Sequence, residues 1–157
     1  LYVKRIVALP GDSISVQSGR SIVNGVEMLN TSLASSSGSD ARCMYLGPLI
    51  VPYKGMTLHL DEHSAEQYRQ ILEREGASIE FVNSQSIING QRTDSYTVQE
   101  NYYYVLGDNR GDSYDSRFWG FVPERNIIGK PILVYWSNNP QEPSSGVRWE
   151  RLGLVGN

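Results

Sequence analysis

The sequence predicts a mostly β fold, an antiparallel barrel or sandwich with an inserted segment that carries one short helix. Three observations lead there. Short β-branched and aromatic runs recur between turn signals along the whole chain. Two of the breaks are the Asn-Gly dipeptides Asn24-Gly25 and Asn89-Gly90, which suit the tight turns of β-hairpins. Apolar residues at helical spacing occur convincingly once, between Asp61 and Glu75. At 157 residues the chain fits one domain with a modest insertion, here about 30–93, and one main core.

The elements follow in order. Tyr2 to Ala8 is β-branched and runs into Leu9-Pro10-Gly11-Asp12, a turn in which Pro presets φ and Gly permits positive φ. Ile14 and Val16 alternate with polar residues, and Ser21 to Met28 repeats the alternation around Asn24-Gly25, which predicts a meander. Asn30 to Asp40, with serines at Ser35 to Ser37, offers almost nothing to bury and reads as a surface loop. Met56 to Leu60 reads as a strand. The helix over Asp61 to Glu75 has Ala65, Tyr68, Ile71 and Leu72 on one face, Asp61 or Ser64 as N-cap and Gly76 as stop, and is expected to cover one end of the barrel. Ile79 to Val82, Ser86 to Ile88 and Tyr96 to Val98 are predicted strands, as are Tyr102 to Leu106 and Ile127 to Ser137. Val147 to Leu152 is expected as a last strand after a linker containing Pro and Ser.

Composition narrows the function classes. A formal net charge of -3 supplies no positive field for nucleic acid, which is not expected as a partner. The single cysteine, Cys43, excludes an intramolecular disulfide and multi-cysteine metal sites. The longest apolar runs, such as Ile132 to Trp136, fall far short of the ~20 residues a membrane helix needs. The chain opens at Leu1 in what reads as the middle of a strand, so a processed or truncated fragment is expected.

Two features point to chemistry. The first is a loop dense in polar residues between two apolar flanks, Gly107-Asp108-Asn109-Arg110-Gly111-Asp112-Ser113-Tyr114-Asp115-Ser116-Arg117, beside Phe118, Trp119 and Phe121. Opposite charges two residues apart, Asp115 and Arg117, can order such a loop internally. The second is Lys4, one of three lysines against eleven arginines, set between Val3 and Ile6. An amine turned inward on an apolar strand is pushed toward its neutral form, which can act as a base. By composition alone the loop is an ordinary surface turn and the lysine a solvated one. Tyr102 to Tyr104, Phe118, Trp119 and Phe121 fit either core packing, in which alternation buries every other tyrosine, or contact with a membrane surface.

Together these segments resemble the type I signal peptidases, which use a serine and lysine dyad to remove signal peptides from exported proteins. Tyr2-Val3-Lys4-Arg5-Ile6-Val7-Ala8-Leu9-Pro10-Gly11-Asp12 is similar to that family's lysine box. Gly107 to Arg110, then Ser113, Asp115, Ser116, Arg117 and Trp119-Gly120-Phe121-Val122-Pro123-Glu124 resemble its second signature. Similarity extends through Tyr102 to Ser137, and Val147 to Arg151 is similar to the end of one bacterial subset. The resemblance implies the family's β-barrel type of fold and a membrane-associated serine endopeptidase. It implies Lys4 as general base, Ser113 orienting the Lys4 amine, Arg5 and Asp108 as a buried or half-buried pair, and Asp115 with Arg117 holding the loop. Leu1, Tyr2 and Val3 are expected to line the substrate cleft, with a signal peptide added alongside by backbone hydrogen bonds and Val3 facing a small-residue pocket. No cofactor and no metal are implied. The expected partners are signal peptides of exported preproteins and, through an upstream anchor, the membrane; the expected location is the outer face of a bacterial cytoplasmic membrane.

Two departures from the family pattern are visible. Ala8 stands where Gly often precedes Leu-Pro-Gly-Asp. No Ser-Met-x-Pro segment, where the family's nucleophile lies, occurs in these residues, so the serine nucleophile is expected to be absent and the fragment inactive alone. Two other readings stand beside this one. The parent can be an inactive homologue that binds exported chains. Alternatively, His59-Leu60-Asp61-Glu62-His63 matches the His-x-x-Glu-His pattern of inverted zinc proteases, with His59, Glu62 and His63 as its working residues. The second requires both histidines on one helix face, whereas His59 falls on a predicted strand.

Overall fold

The computed structural model describes residues 1–17, 20–28, 45–110, 113–137 and 147–154. The predicted loop at Asn30 to Asp40, Cys43 and the linker before Val147 lie outside them. The chain divides into two compact units, Tyr2–Asn126 and Ile127–Asn157, the latter grouped with Leu1.

The first unit is built from short strands, and every ladder among the described residues is antiparallel. Strand β1 (Arg5–Ala8) ends in the predicted Pro-Gly turn and leads to β2 (Ser13–Gln17), β3 (Arg20–Val23) and β4 (Val26–Glu27). The β3–β4 hairpin turns at Asn24 and Gly25, with φ of 51° and 79°, the left-handed pair that Asn-Gly tolerates best. Strand β5 (Tyr45–Ile50) adds to β2, giving the order β4-β3-β2-β5. Then come β6 (Thr57–His59), helix α1 (Glu62–Arg74), β7 (Ile79–Val82), β8 (Gln85–Ile88), β9 (Gln91–Arg92) and β10 (Ser95–Thr97). β7-β8-β9 form one sheet and β10-β6 another. Strand β11 (Tyr102–Leu106) lies between β1 and β12 (Val122–Pro123), with the single-turn helix α2 (Ser116–Trp119) between β11 and β12. The fold is therefore mostly antiparallel β, but the described strands form four open sheets and no ladder among them closes a barrel.

Helix α1 forms where periodicity predicts it. Asp61 caps it by accepting from the backbone N–H groups of His63 and Ser64, and Ser64 Oγ accepts in return from Asp61 N–H at 2.8 Å. Ala65, Tyr68, Ile71 and Leu72 are buried, and Gly76 at φ 73° follows the C-cap Glu75. This face joins Ile14, Val16, Val51, Leu58, Val98, Tyr102, Tyr104 and Leu106 in one core. Tyr102 and Tyr104 point inward and Tyr103 is half-buried, as alternation requires.

Several elements differ from expectation. The β1 ladder begins at Arg5, not Tyr2, because its partner β11 ends at Leu106 opposite Arg5, which leaves Leu1 to Lys4 beyond the ladder. Strand β5 escapes sequence reading because Gly47-Pro48 looks like a break; Pro is tolerated there because β5 is an edge strand. In the second unit Ile127 to Ser137 forms no strand. Pro131 removes a donor, and Ile132 and Leu133 are both exposed, so no face alternates inward. Val134 N–H donates to Leu154 O at 3.0 Å and Gly153 N–H to Val134 O at 2.9 Å. The predicted last strand is instead a 3₁₀ turn at Trp149–Arg151. No helix among the described residues is long and apolar enough to cross a membrane.

The fully enclosed Leu72 of α1 provides a stability test. Leu72→Ala is expected to cost about 2–5 kcal/mol in urea unfolding, whereas Ile128→Ala, at an 82% exposed position, is expected to change stability by less than about 0.5 kcal/mol.

Candidate active site

Register brings the two signature segments together. Arg5 pairs with Leu106 and Ile6 with Val105, so just beyond the end of the ladder Lys4 comes close to Gly107. Lys4 Nζ, half-buried, donates to Ser113 Oγ at 2.7 Å. The ring of Tyr2 lies 5.9 Å from Lys4 Nζ, within reach of a weak cation–π attraction.

Gly107 makes this approach possible. A Cβ built there lies 2.1 Å from Ser113 Oγ and 3.3 Å from Lys4 Nζ, so any side chain displaces the serine. Sequence reading includes Gly107 in the loop but assigns it no role. Its only available signal is the turn-like Gly-Asp-Asn.

The loop is ordered by one enclosed carboxylate. Asp115 is fully buried, and its Oδ1 accepts from Arg117 Nε at 2.8 Å and from Arg117 N–H at 3.3 Å. Its Oδ2 accepts from Gly107 N–H at 3.0 Å and Arg117 Nη2 at 2.9 Å. Arg117 Nη2 also reaches Arg110 O at 2.7 Å and Ser113 O at 3.4 Å. Arg110 Nε donates to Gly107 O at 3.0 Å, closing the loop on itself. Ser116 Oγ accepts from Val105 N–H at 3.0 Å, which ties α2 to β11 inside the core. Burial pushes the Asp115 carboxyl up, but the Arg117 and Gly107 hydrogen bonds and the Arg117 charge outweigh it and hold the group below the ordinary Asp value.

Arg5 and Asp108 form a bidentate pair, Nε to Oδ1 at 2.8 Å and Nη2 to Oδ2 at 3.1 Å. A buried or half-buried pair is expected here, and the side chains are 47% and 59% exposed. The reason is the outward turn of both residues at the end of the β1–β11 ladder. The hydrogen bond from Arg5 still lowers the Asp108 carboxyl. Leu1, Tyr2 and Val3 are exposed, and Gly111 and Asp112 of the loop lie outside the described residues. His59 sits on β6, and Glu62 and His63 lie in the first turn of α1; among the described residues no group of three His, Cys, Asp or Glu side chains is gathered to hold a metal.

The hydrogen bond from Lys4 to Ser113 thus joins the two signature segments. The model of the family described as "Signal peptidase, peptidase S26" matches residues 1–136, and the chain belongs to that family. Among curated relatives, Signal peptidase I of Buchnera aphidicola subsp. Baizongia pistaciae is 29% identical over 98% of this chain and 56% of its own length. Signal peptidase I of Pseudomonas aeruginosa is 27% identical over 98% of this chain and 50% of its own length. That of Aquifex aeolicus is 60% identical, but over only 27% of this chain and 16% of its own. The chain thus spans about half the length of the curated relatives it matches end to end.

Two outcomes follow from the site. Gly107→Ala is expected to part Lys4 Nζ and Ser113 Oγ beyond hydrogen-bonding distance in a crystal structure of the variant, with the Asp115–Arg117 pair retained. Asp115, lowered in the folded state, contributes stability that is fully present above its unfolded value of about 4 and is lost as pH falls through that value toward the folded one. Asp115→Ala is therefore expected to cost about 3–5 kcal/mol at neutral pH, because it removes the buried carboxylate that balances the Arg117 charge, and to flatten the acid limb of stability measured by urea unfolding.

Proposed function

We propose that these residues form the base-bearing half of a serine endopeptidase that removes signal peptides from exported preproteins. The observation that carries this is the 2.7 Å hydrogen bond from Lys4 Nζ to Ser113 Oγ, in a chain whose family and relatives are signal peptidases. In this reading Lys4 is the general base. Its amine takes the proton of a serine hydroxyl as that oxygen attacks the scissile carbonyl, then returns it to the departing amine. Ser113 orients Lys4 by accepting one amine hydrogen, which leaves the nitrogen lone pair to be aimed at the nucleophile.

The nucleophile itself is assigned to a Ser-Met-x-Pro segment outside these residues, since none of the 157 lies in such a pattern. These residues alone are therefore inactive, and Leu1, Tyr2 and Val3 line a cleft shared with that segment. An extended peptide adds along the edge of β1 away from β11, where main-chain hydrogen bonds hold it regardless of sequence. The substrate emerges from a membrane, so the reading sets the enzyme on the outer face of a bacterial cytoplasmic membrane, held by an anchor outside these residues. Arg5, Asp108, Asp115 and Arg117 support the loop without touching substrate.

The test is cleavage of an Ala-x-Ala signal-peptide substrate by a longer form of the protein that includes a Ser-Met-x-Pro segment. Lys4→Ala is expected to lower the rate by about 100- to 10,000-fold. Ser113→Ala is expected to lower it by roughly ten- to a hundredfold, as loss of a hydrogen bond to a charged or charging group does. Cleavage by residues 1–157 alone, abolished by Lys4→Ala, would show that the nucleophile lies within them. Binding of the substrate without cleavage in every form would make the protein an inactive peptide binder.

A further inference from the structure

The inserted helix does more than cover the core. Gln70 and Arg74, four residues apart on one stripe of α1, face the segment that follows the loop. Arg74 donates Nη2 to Trp119 O at 2.8 Å and Nη1 to Phe121 O, so its planar fork holds the two carbonyls that flank Gly120. Gly120 has φ 71°, and a Cβ there would lie 2.3 Å from Gln70 Oε1, so helix and segment meet as closely as a glycine allows. Burial, more than any neighbouring charge, lowers the Arg74 guanidinium, which is half-buried and spends its donors on peptide oxygens.

The helix end is itself fixed. The C-cap Glu75 accepts from Tyr96 Oη at 2.6 Å, Tyr102 Oη at 3.0 Å and Gln99 N–H at 3.0 Å. Arg125 donates to Arg74 O at 3.4 Å and pairs with Glu100. Arg74 is thus a rigid projection reaching the C-terminal end of α2, whose N-cap is Asp115 and whose first residue, Ser116, is bonded to β11. A single-turn helix has no stability of its own, so its orientation depends on what grips its two ends. Asp115 grips one and Arg74 the other.

We propose that Arg74 is a positioning residue for the Lys4–Ser113 pair, acting through the Trp119 and Phe121 carbonyls and α2. The positioning stands on this geometry; its consequence for catalysis rests on the proposed role of Lys4. Lysine cannot replace the arginine, because an ammonium lacks the planar fork that spans two carbonyls.

The test uses the lysine amines of the chain itself. Brief acetylation with acetic anhydride, read by mass spectrometry, gives the labelling rate of Lys4 relative to the exposed Lys54 in the same molecule. Arg74→Gln is expected to raise that ratio roughly two- to tenfold, the factor that loosening one hydrogen bond supplies, and Arg74→Lys is expected to raise it likewise. Ile14→Ala, a destabilising change in β2, is expected to leave the ratio alone at temperatures well below unfolding. A ratio unchanged in Arg74→Gln or in Arg74→Lys overturns the proposal, as does an equal rise in Ile14→Ala, which would mean general loosening. If Arg74→Gln does not fold, Arg74→Lys, which keeps the charge and most of the stem, carries the comparison. No cleavage is involved, so this test and that of the peptidase reading fail independently.

Discussion

The arrangement around Lys4 depends on one enclosed carboxylate. A charged Asp115 without water is tolerable only if each oxygen is met by donors, and the chain supplies four donor contacts from Arg117 and Gly107. Meeting that demand fixes much else. The Gly107 N–H must point at Oδ2, which sets where β11 hands over to the loop. Arg117 must fold back over Asp115, which brings its Nη2, already bonded to Oδ2, to Arg110 O and Ser113 O and so helps to set Ser113 beside Gly107. The serine that meets Lys4 is therefore placed by the solvation needs of a residue two positions away. By contrast, the exposed Arg5–Asp108 pair is screened by water and contributes little to stability, although its fork shape still links the start of β1 to the loop.

Register does the rest. A ladder fixes which residues face each other, and a shift of one residue would turn every side chain of β1 to the opposite face. With Arg5 opposite Leu106, Lys4 comes close to Gly107, just past the end of the partner strand, where no side chain intervenes. Lysine and glycine are a matched pair here. The amine needs a partner within hydrogen-bonding distance on the loop side, and only a residue without Cβ leaves space for the Ser113 hydroxyl between them.

Legibility in the sequence followed the locality of the forces. Hairpins at Asn24-Gly25 and Asn89-Gly90, the N-cap of α1 and the inward turn of Tyr102 and Tyr104 are decided by neighbours in the chain, and each was readable from a few residues. The two signature segments were readable because their residues match a family pattern, although Lys4 and Ser113 are separated by more than a hundred positions. What escaped was decided by distant partners. Strand β5 exists because β2 offers an edge, despite Gly47 and Pro48. Ile127 to Ser137 has strand composition, yet its described side chains are largely exposed and find no ladder, so composition misled there.

Helix α1 illustrates the same division within one element. Its caps and apolar face are local and visible in the sequence, whereas Gln70, Arg74 and Glu75 look like ordinary polar residues of a solvated face. Their partners, Gly120, the carbonyls of Trp119 and Phe121, and the hydroxyls of Tyr96 and Tyr102, lie 21 to 50 positions away and are mostly backbone or phenol groups with no charge to advertise a pairing. The site loop consequently rests on two supports of different kind. Asp115 with Arg117 closes a short stretch of chain and costs little loop entropy, so it can form early and locally. The Arg74 fork requires α1 to be folded and docked first, so a helix placed between the two signature segments acquires a hold on the loop that carries Ser113.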